Sequence, residues 1–105
     1  MIRKMMLMKL TDQGVKDIKN APQRIEQAIK TYEKMGGKMV CFYTVTGEYD
    51  YVAVGESPNE DVGMAFVLAL SSQGNVRTTT SNAFTREEFT AMVNKLPIPD
   101  LIIKR

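Results

Sequence analysis

Between Met39 and Val54 the chain reads as two strands folded back on each other, and that hairpin limits what the remainder can build. Met39 to Val45 and Tyr49 to Val54 are rich in Val, Tyr and Phe, residues that suit a pleated, half-buried surface. Gly47-Glu48 stands between them as a two-residue turn of the Gly-X kind, in which glycine takes a positive φ at little cost. Asp50 is the residue that does not belong, because aspartate is depleted in strands.

The flanking segments supply two further strands and three helices. Met5 to Leu10 is a strand with Met6, Met8 and Leu10 on one side and Met5, Leu7 and Lys9 on the other. A polar turn, Thr11 to Gly14, and a short helical turn, Val15 to Lys19, lead to a helix capped by Asn20 with Pro22 in its first turn. Ile25, Ala28, Ile29, Tyr32 and Met35 form its inward stripe, and Gly36-Gly37 ends it. Ser57-Pro58-Asn59-Glu60 reads as a capping box opening a second helix with Val62, Phe66, Ala69 and Leu70 inward. Val76 to Phe84 is the last strand. Thr85-Arg86-Glu87-Glu88 is a second capping box, ahead of a helix predicted to turn Phe89, Met92, Val93 and Leu96 toward the core before Pro97 stops it. The tail after it has an apolar centre, Leu101-Ile102-Ile103, suited to an extra strand or to packing on a neighbour.

The order β-α-β-β-α-β plus a C-terminal helix predicts an α+β, ferredoxin-like fold: a four-stranded antiparallel sheet with helices on one face. At 105 residues this is one domain over residues 1–105, with a core from about 5 to 96 and a tail from 97 to 105. A net charge of +2 on scattered lysines argues against nucleic acid as the partner. No apolar run reaches the ~20 residues of a membrane helix, and no signal-peptide pattern opens the chain. The single cysteine, Cys41, forbids an internal disulfide and makes the cytoplasm the default compartment.

Helices on one face leave the other bare. Met6, Met8, Val40, Phe42, Val52 and Val54 are assigned to the helix side as an aliphatic, closely packing set. Met5, Leu7, Cys41, Tyr43, Tyr49, Tyr51 and Ala53 are assigned to the bare side. An apolar face of that extent exceeds what monomers expose. A second copy packed sheet to sheet would cover it, giving a homodimer or higher homo-oligomer in the form of a dimeric α+β barrel.

The segments L-T-D-Q-G, K-N-A-P-Q-R, G-G-K, G-E-Y-D and L-A-L-S-S-Q-G-N-V-R-T-T-T with A-F-T span about Leu10 to Leu96. Through them the chain resembles the GYD-domain family, small bacterial and archaeal proteins of no established activity, with the motif triad on Gly47, Tyr49 and Asp50. The resemblance implies a ferredoxin-like fold and oligomers. The hairpin, the helix after it and the threonine-rich strand are also similar to the ligand-sensing domain of leucine-responsive (feast/famine) regulators, which implies amino-acid binding between subunits. No helix-turn-helix precedes the first strand, so DNA binding is not implied.

Six residues are candidates for a site at the sheet–sheet interface. Tyr43, Tyr49 and Tyr51 offer hydroxyls within an aromatic surface. Asp50 offers a carboxylate, set against the plainer role of accepting backbone hydrogen bonds or pairing with Lys9 or Arg77. Arg77 offers a guanidinium suited to a carboxylate, with Thr79 beside it on the same strand face. The expected ligand is a small carboxylate or amino-acid-like molecule. Histidine is absent from the sequence, which removes the usual partner of a cysteine nucleophile and the commonest metal ligand. A thioether site at Met5, Met6 and Met8 is disfavoured because neighbours in a strand point to opposite faces. No catalytic residue, metal site or cofactor is assigned. The reading is an oligomeric small-ligand-binding or sensing module; the alternative is a small cofactor-independent enzyme, an isomerase or oxygenase of the dimeric α+β barrel class.

Overall fold

The computed structural model describes residues 1–97, and the expectation for the tail from residue 98 onward lies outside the described residues. In order, the elements are β1 (Ile2–Leu10), α1 (Asp12–Lys16), a 3-10 turn (Ile18–Asn20), α2 (Ala21–Lys34), β2 (Lys38–Thr44), β3 (Tyr51–Ser57), α3 (Glu60–Ser72), β4 (Val76–Asn82) and α4 (Arg86–Asn94). The strands form one sheet in the order β2-β3-β1-β4, every pair antiparallel. This is the expected α+β, ferredoxin-like topology, with β1 and β3 central.

Helices α2 and α3 cover one face. The core beneath them joins Met6 and Met8 of β1, Tyr51 and Ala53 of β3, Tyr32 of α2, and Phe66 and Val67 of α3. The rings of Tyr32 and Phe66 meet at a centroid distance of 4.5 Å, tilted by 37°. That is a packing worth ~1 kcal/mol beyond the area it buries.

The register of β3 corrects the sequence assignment. Tyr51 pairs with Met8 and Ala53 with Met6, so both lie under the helices, with exposures of 6% and 0%. Val52 and Val54 face the bare side. The physical reason is close approach: Tyr32 lies over Gly55, where an added Cβ would come within 2.9 Å of its ring. The small residues Ala53, Gly55 and Ser57 therefore make the floor on which helices rest. In β2, Phe42 is on the helix side, and Cys41 and Tyr43 are on the bare side, as expected. A register shift between Met39 and Cys41 brings Met39 against the core and leaves Val40 exposed.

The hairpin is wider than a two-residue turn. Strand pairing stops at Thr44 and resumes at Tyr51, and the loop 45–50 is closed by the Val45 N–H donating to the Asp50 carbonyl at 2.9 Å. Gly47 does take a positive φ, +105°. Helix α3 is capped by Asn59, whose side-chain oxygen accepts the Val62 N–H at 3.0 Å, and not by Ser57. Ser57 belongs to the β3 ladder opposite Ile2 and is fully buried. On α3, Val67 is buried while Ala69, expected inward, is exposed. Asn20 makes no capping bond to α2; its amide donates to Asp17 instead, at 2.6 Å.

Helix α4 forms where expected but does not pack where expected. Thr85 and Glu88 make the reciprocal capping box, and Arg3 donates to the Glu88 carboxylate at 2.9 Å. Yet Phe89, Met92, Val93 and Leu96 are all exposed, Phe89 by 63%. The Thr85 amide, with help from Arg3, holds the Glu88 carboxyl below the ordinary glutamate range. A depressed carboxyl adds stability above its unfolded-state pKa and loses it as pH falls through the folded value. The start of α4 is therefore expected to loosen on acidification below about pH 4. Faster amide exchange at Thr85 and Glu88 than at the β1 core amides checks this.

Candidate functional site

The bare face of the sheet is built in rows. One row crosses all four strands as Tyr43, Val52, Leu7 and Thr79; the next runs Cys41, Val54, Met5 and Ser81. Tyr43, at the β2 edge, is 62% exposed. The rim is charged. Arg3 pairs with Glu56 across strands at 3.2 Å, and Lys9 lies 3.8 Å from Glu48 and 5.4 Å from the Tyr49 ring centre. Arg77 stands opposite Lys9 in the ladder, in the same edge strand as Thr79. Of the six candidate residues, Tyr43, Arg77 and Thr79 thus share this face, and Tyr49 sits in the loop at its margin.

Asp50 and Tyr51 go elsewhere. Asp50 is the last loop residue. Its backbone N–H donates to the Met8 carbonyl at 2.9 Å, and its carboxylate accepts the Leu10 N–H at 2.8 Å. It therefore satisfies β1 where the β3 ladder has not yet begun, the hydrogen-bonding role weighed for it on sequence grounds, though toward a strand amide and not a turn amide. The Tyr51 ring packs on Phe42 at 5.3 Å between centroids, inside the molecule.

Tyr51 lines a cavity of about 60 Å³ between the sheet, α2 and α3. Its walls are almost wholly apolar, among them Met8, Ile25, Ala28, Phe66 and Leu70; Arg24, Gln73 and Asn75 also line it. Burial pushes the Tyr51 phenol above its usual value; the nearby Asp50 carboxylate adds to this, and the Arg24 charge opposes it. No motif in the sequence announces this chamber. Its only legible trace was the period-two run of small residues in β3.

Two of the segments that carry the family resemblance meet beside this chamber. The Thr11 N–H donates to the Asn75 carbonyl at 3.0 Å and its hydroxyl to the Gly74 carbonyl at 2.5 Å. The Gln13 amide donates to the Gln73 carbonyl at 2.9 Å and to the Asn75 side chain at 3.0 Å. T-D-Q-G and Q-G-N-V are therefore one interlocked corner.

A second polar cluster lies at the opposite end of the same face. Lys4, only 6% exposed, is held by Glu60 and by the Asn82 side-chain oxygen at 2.7 Å. The buried Ser57 hydroxyl beside it has no hydrogen-bond partner among the described residues. Among the described residues no group of three or more Cys, Asp or Glu side chains is placed to hold a metal ion, and no helix is long and apolar enough to cross a membrane.

The sheet topology, the interlocked corner and the hairpin carrying Gly47, Tyr49 and Asp50 define the class. The chain belongs to the GYD domain family, whose sequence profile matches residues 5–93. It is 31% identical over 96 residues to a protein of Thermus thermophilus named as a glutamine synthetase and cystathionine beta-lyase binding protein, a match covering 90% of this chain and 88% of that one.

Proposed function

We propose that this chain is a homo-oligomeric binding module whose bare sheet face is buried against a second copy and whose task is to dock on protein partners. The observation that carries the reading is the pair of apolar rows across the sheet, Tyr43-Val52-Leu7 and Cys41-Val54-Met5, uncovered by any element among the described residues. A face of this kind is rare on monomers, and sheets stack well at about 10 Å. The charged rim of Arg3, Glu56, Lys9 and Arg77 suits the edge of such an interface. Light scattering at micromolar concentration is expected to give at least twice the 11.8 kDa of one chain. A monomer mass would remove this reading.

The partner side of the proposal rests on α4 and on the name of the Thermus relative. Phe89, Met92, Val93 and Leu96 recur at helical spacing on an exposed helix, the form in which amphipathic helices enter grooves. Glutamine synthetase and cystathionine beta-lyase are the partners to try first. Titration calorimetry with each enzyme is expected to show binding that Phe89→Ser weakens at least about tenfold. A small carboxylate between the sheets, held by Tyr43, Arg77 and Thr79, belongs to this same reading as a regulator of docking, and Tyr51, which lies under the helices, takes no part in it.

A further inference from the structure

We infer that the chamber between the sheet, α2 and α3 binds a short-chain aliphatic monocarboxylate, its hydrocarbon tail inside and its carboxylate at the mouth between Arg24 and the Tyr51 hydroxyl. This goes beyond the oligomer reading, because every group it uses lies within one subunit. Four observations on the same cavity converge on that ligand class.

The chamber is lined almost wholly by apolar side chains, Phe66 and Ala28 among them, which favours a hydrocarbon chain over a polar one. Its volume of about 60 Å³ is several times the ~15 Å³ that admits one water, so it holds a tail of about four carbons. Water there would find few polar partners, so an apolar occupant displaces it at little cost.

Tyr51 is more than nine-tenths buried as a residue, but its hydroxyl, which makes no hydrogen bond among the described residues, is not sealed off from solvent. Tyr51 lines the cavity, and a phenol without a protein partner at an accessible edge is free to donate to a bound anion. Arg24 also lines the cavity. Its Nη1 donates to the Asp17 backbone carbonyl at 2.9 Å and to the Asp17 carboxylate, which fixes the side chain. Among the described residues the Nε and Nη2 edge has no partner, and it offers the two parallel donors that a carboxylate takes. Among the described residues Arg24 is ion-paired with Asp17 and not with Asp50, whose carboxylate accepts the Leu10 N–H. Gln73, anchored through its carbonyl by Gln13, adds a side-chain amide to the lining. Ligand size is thus set by the chamber, and charge by Arg24.

The test is titration of the purified chain with straight-chain carboxylates from acetate to octanoate, read by calorimetry and by Tyr and Ala methyl NMR shifts. Pentanoate is expected to bind at millimolar levels or tighter, with acetate and octanoate each weaker by about tenfold and 1-pentanol weaker by a similar factor. Tyr51→Phe and Arg24→Gln are each expected to weaken pentanoate by about tenfold, with partial recovery in Arg24→Lys. Ala28→Leu fills the chamber and is expected to abolish binding, with Tm holding or rising as evidence that the fold survives. No binding of any carboxylate to the wild type overturns the inference. So does pentanoate binding that Ala28→Leu and Arg24→Gln leave unchanged, or binding lost only in variants that disrupt the oligomer. That last outcome would move the ligand to the sheet interface.

Discussion

Gly14→Ala is expected to lower the thermal midpoint by more than about 10 °C. Gly14 is buried in α1, in the corner where T-D-Q-G meets Q-G-N-V. A Cβ built there would stand 2.2 Å from the Asn75 carbonyl oxygen and 2.9 Å from a Leu10 methyl. The oxygen cannot withdraw cheaply, because it accepts the Thr11 N–H that joins the two segments. Either the methyl is driven into the carbonyl or that hydrogen bond is broken along with the Thr11 and Gln13 contacts beside it. Overpacking of a rigid site costs about 3 kcal/mol, and each point of stability moves the midpoint of a domain this size by about 4–8 °C. Gly47→Ala is the contrasting case. Its φ of +105° disfavours a side chain, but nothing lies within 4 Å of the added carbon. The cost is then backbone strain alone, about 1–2 kcal/mol. A drop for Gly14→Ala no larger than for Gly47→Ala, read by calorimetry, would show that the corner is loosely held.

The same corner shows what the sequence could and could not convey. Strand and helix order were legible because periodicity and caps are local: Thr85-x-x-Glu88 makes the box its spelling announces. The faces of β1 were legible because Met6 and Met8 are separated by one residue and matched by Phe42 across the sheet. The faces of β3 were misassigned because Tyr-Val-Ala-Val offers strand-like residues at both parities, and the aliphatic pair Val52 and Val54 suits close packing under helices as well as Tyr51 and Ala53 do. What decided the register was Tyr32, far away in sequence, needing a glycine beneath it at position 55. That constraint is tertiary, and its only linear trace is the run Ala53, Gly55, Ser57. The chamber lined by Tyr51 and Arg24 was hidden for the same reason, since it exists only once β3 has the correct parity. Helix α4 failed differently. Its stripe of Phe89, Met92, Val93 and Leu96 is a true amphipathic pattern, but a pattern shows that a face needs burial and not which molecule supplies it. Ser57 likewise reads as a cap in a Ser-Pro-x-Glu string, and the ladder claimed it first.

Val52→Glu is expected to leave the isolated fold intact and to abolish self-association. Val52 sits in the second strand of the row Tyr43-Val52-Leu7-Thr79, half-buried between its neighbours but pointing away from the helix-side core. In a single subunit a glutamate there reaches water, so the cost to folding is small, within about 0.5–1 kcal/mol. In a two-fold interface the same substitution appears twice, facing a copy of itself or the partner's apolar rows. Desolvating two unpaired carboxylates costs several kcal/mol, which weakens the dimer by at least about a thousandfold. The wild type is then expected to scatter as a dimer or larger at about 10 µM, far above a dissociation constant in the usual range for such faces. Val52→Glu is expected to scatter as a monomer of 11.8 kDa with unchanged far-ultraviolet dichroism. Val52→Ile, which enlarges the row without charge, should retain the wild-type mass. Lys9 and Arg77 at the rim are positive, so a glutamate placed at the margin would be tolerated, whereas one at the centre of the row would not. A Val52→Glu variant with the wild-type mass would assign the oligomer to another surface, and α4 would be the first to examine.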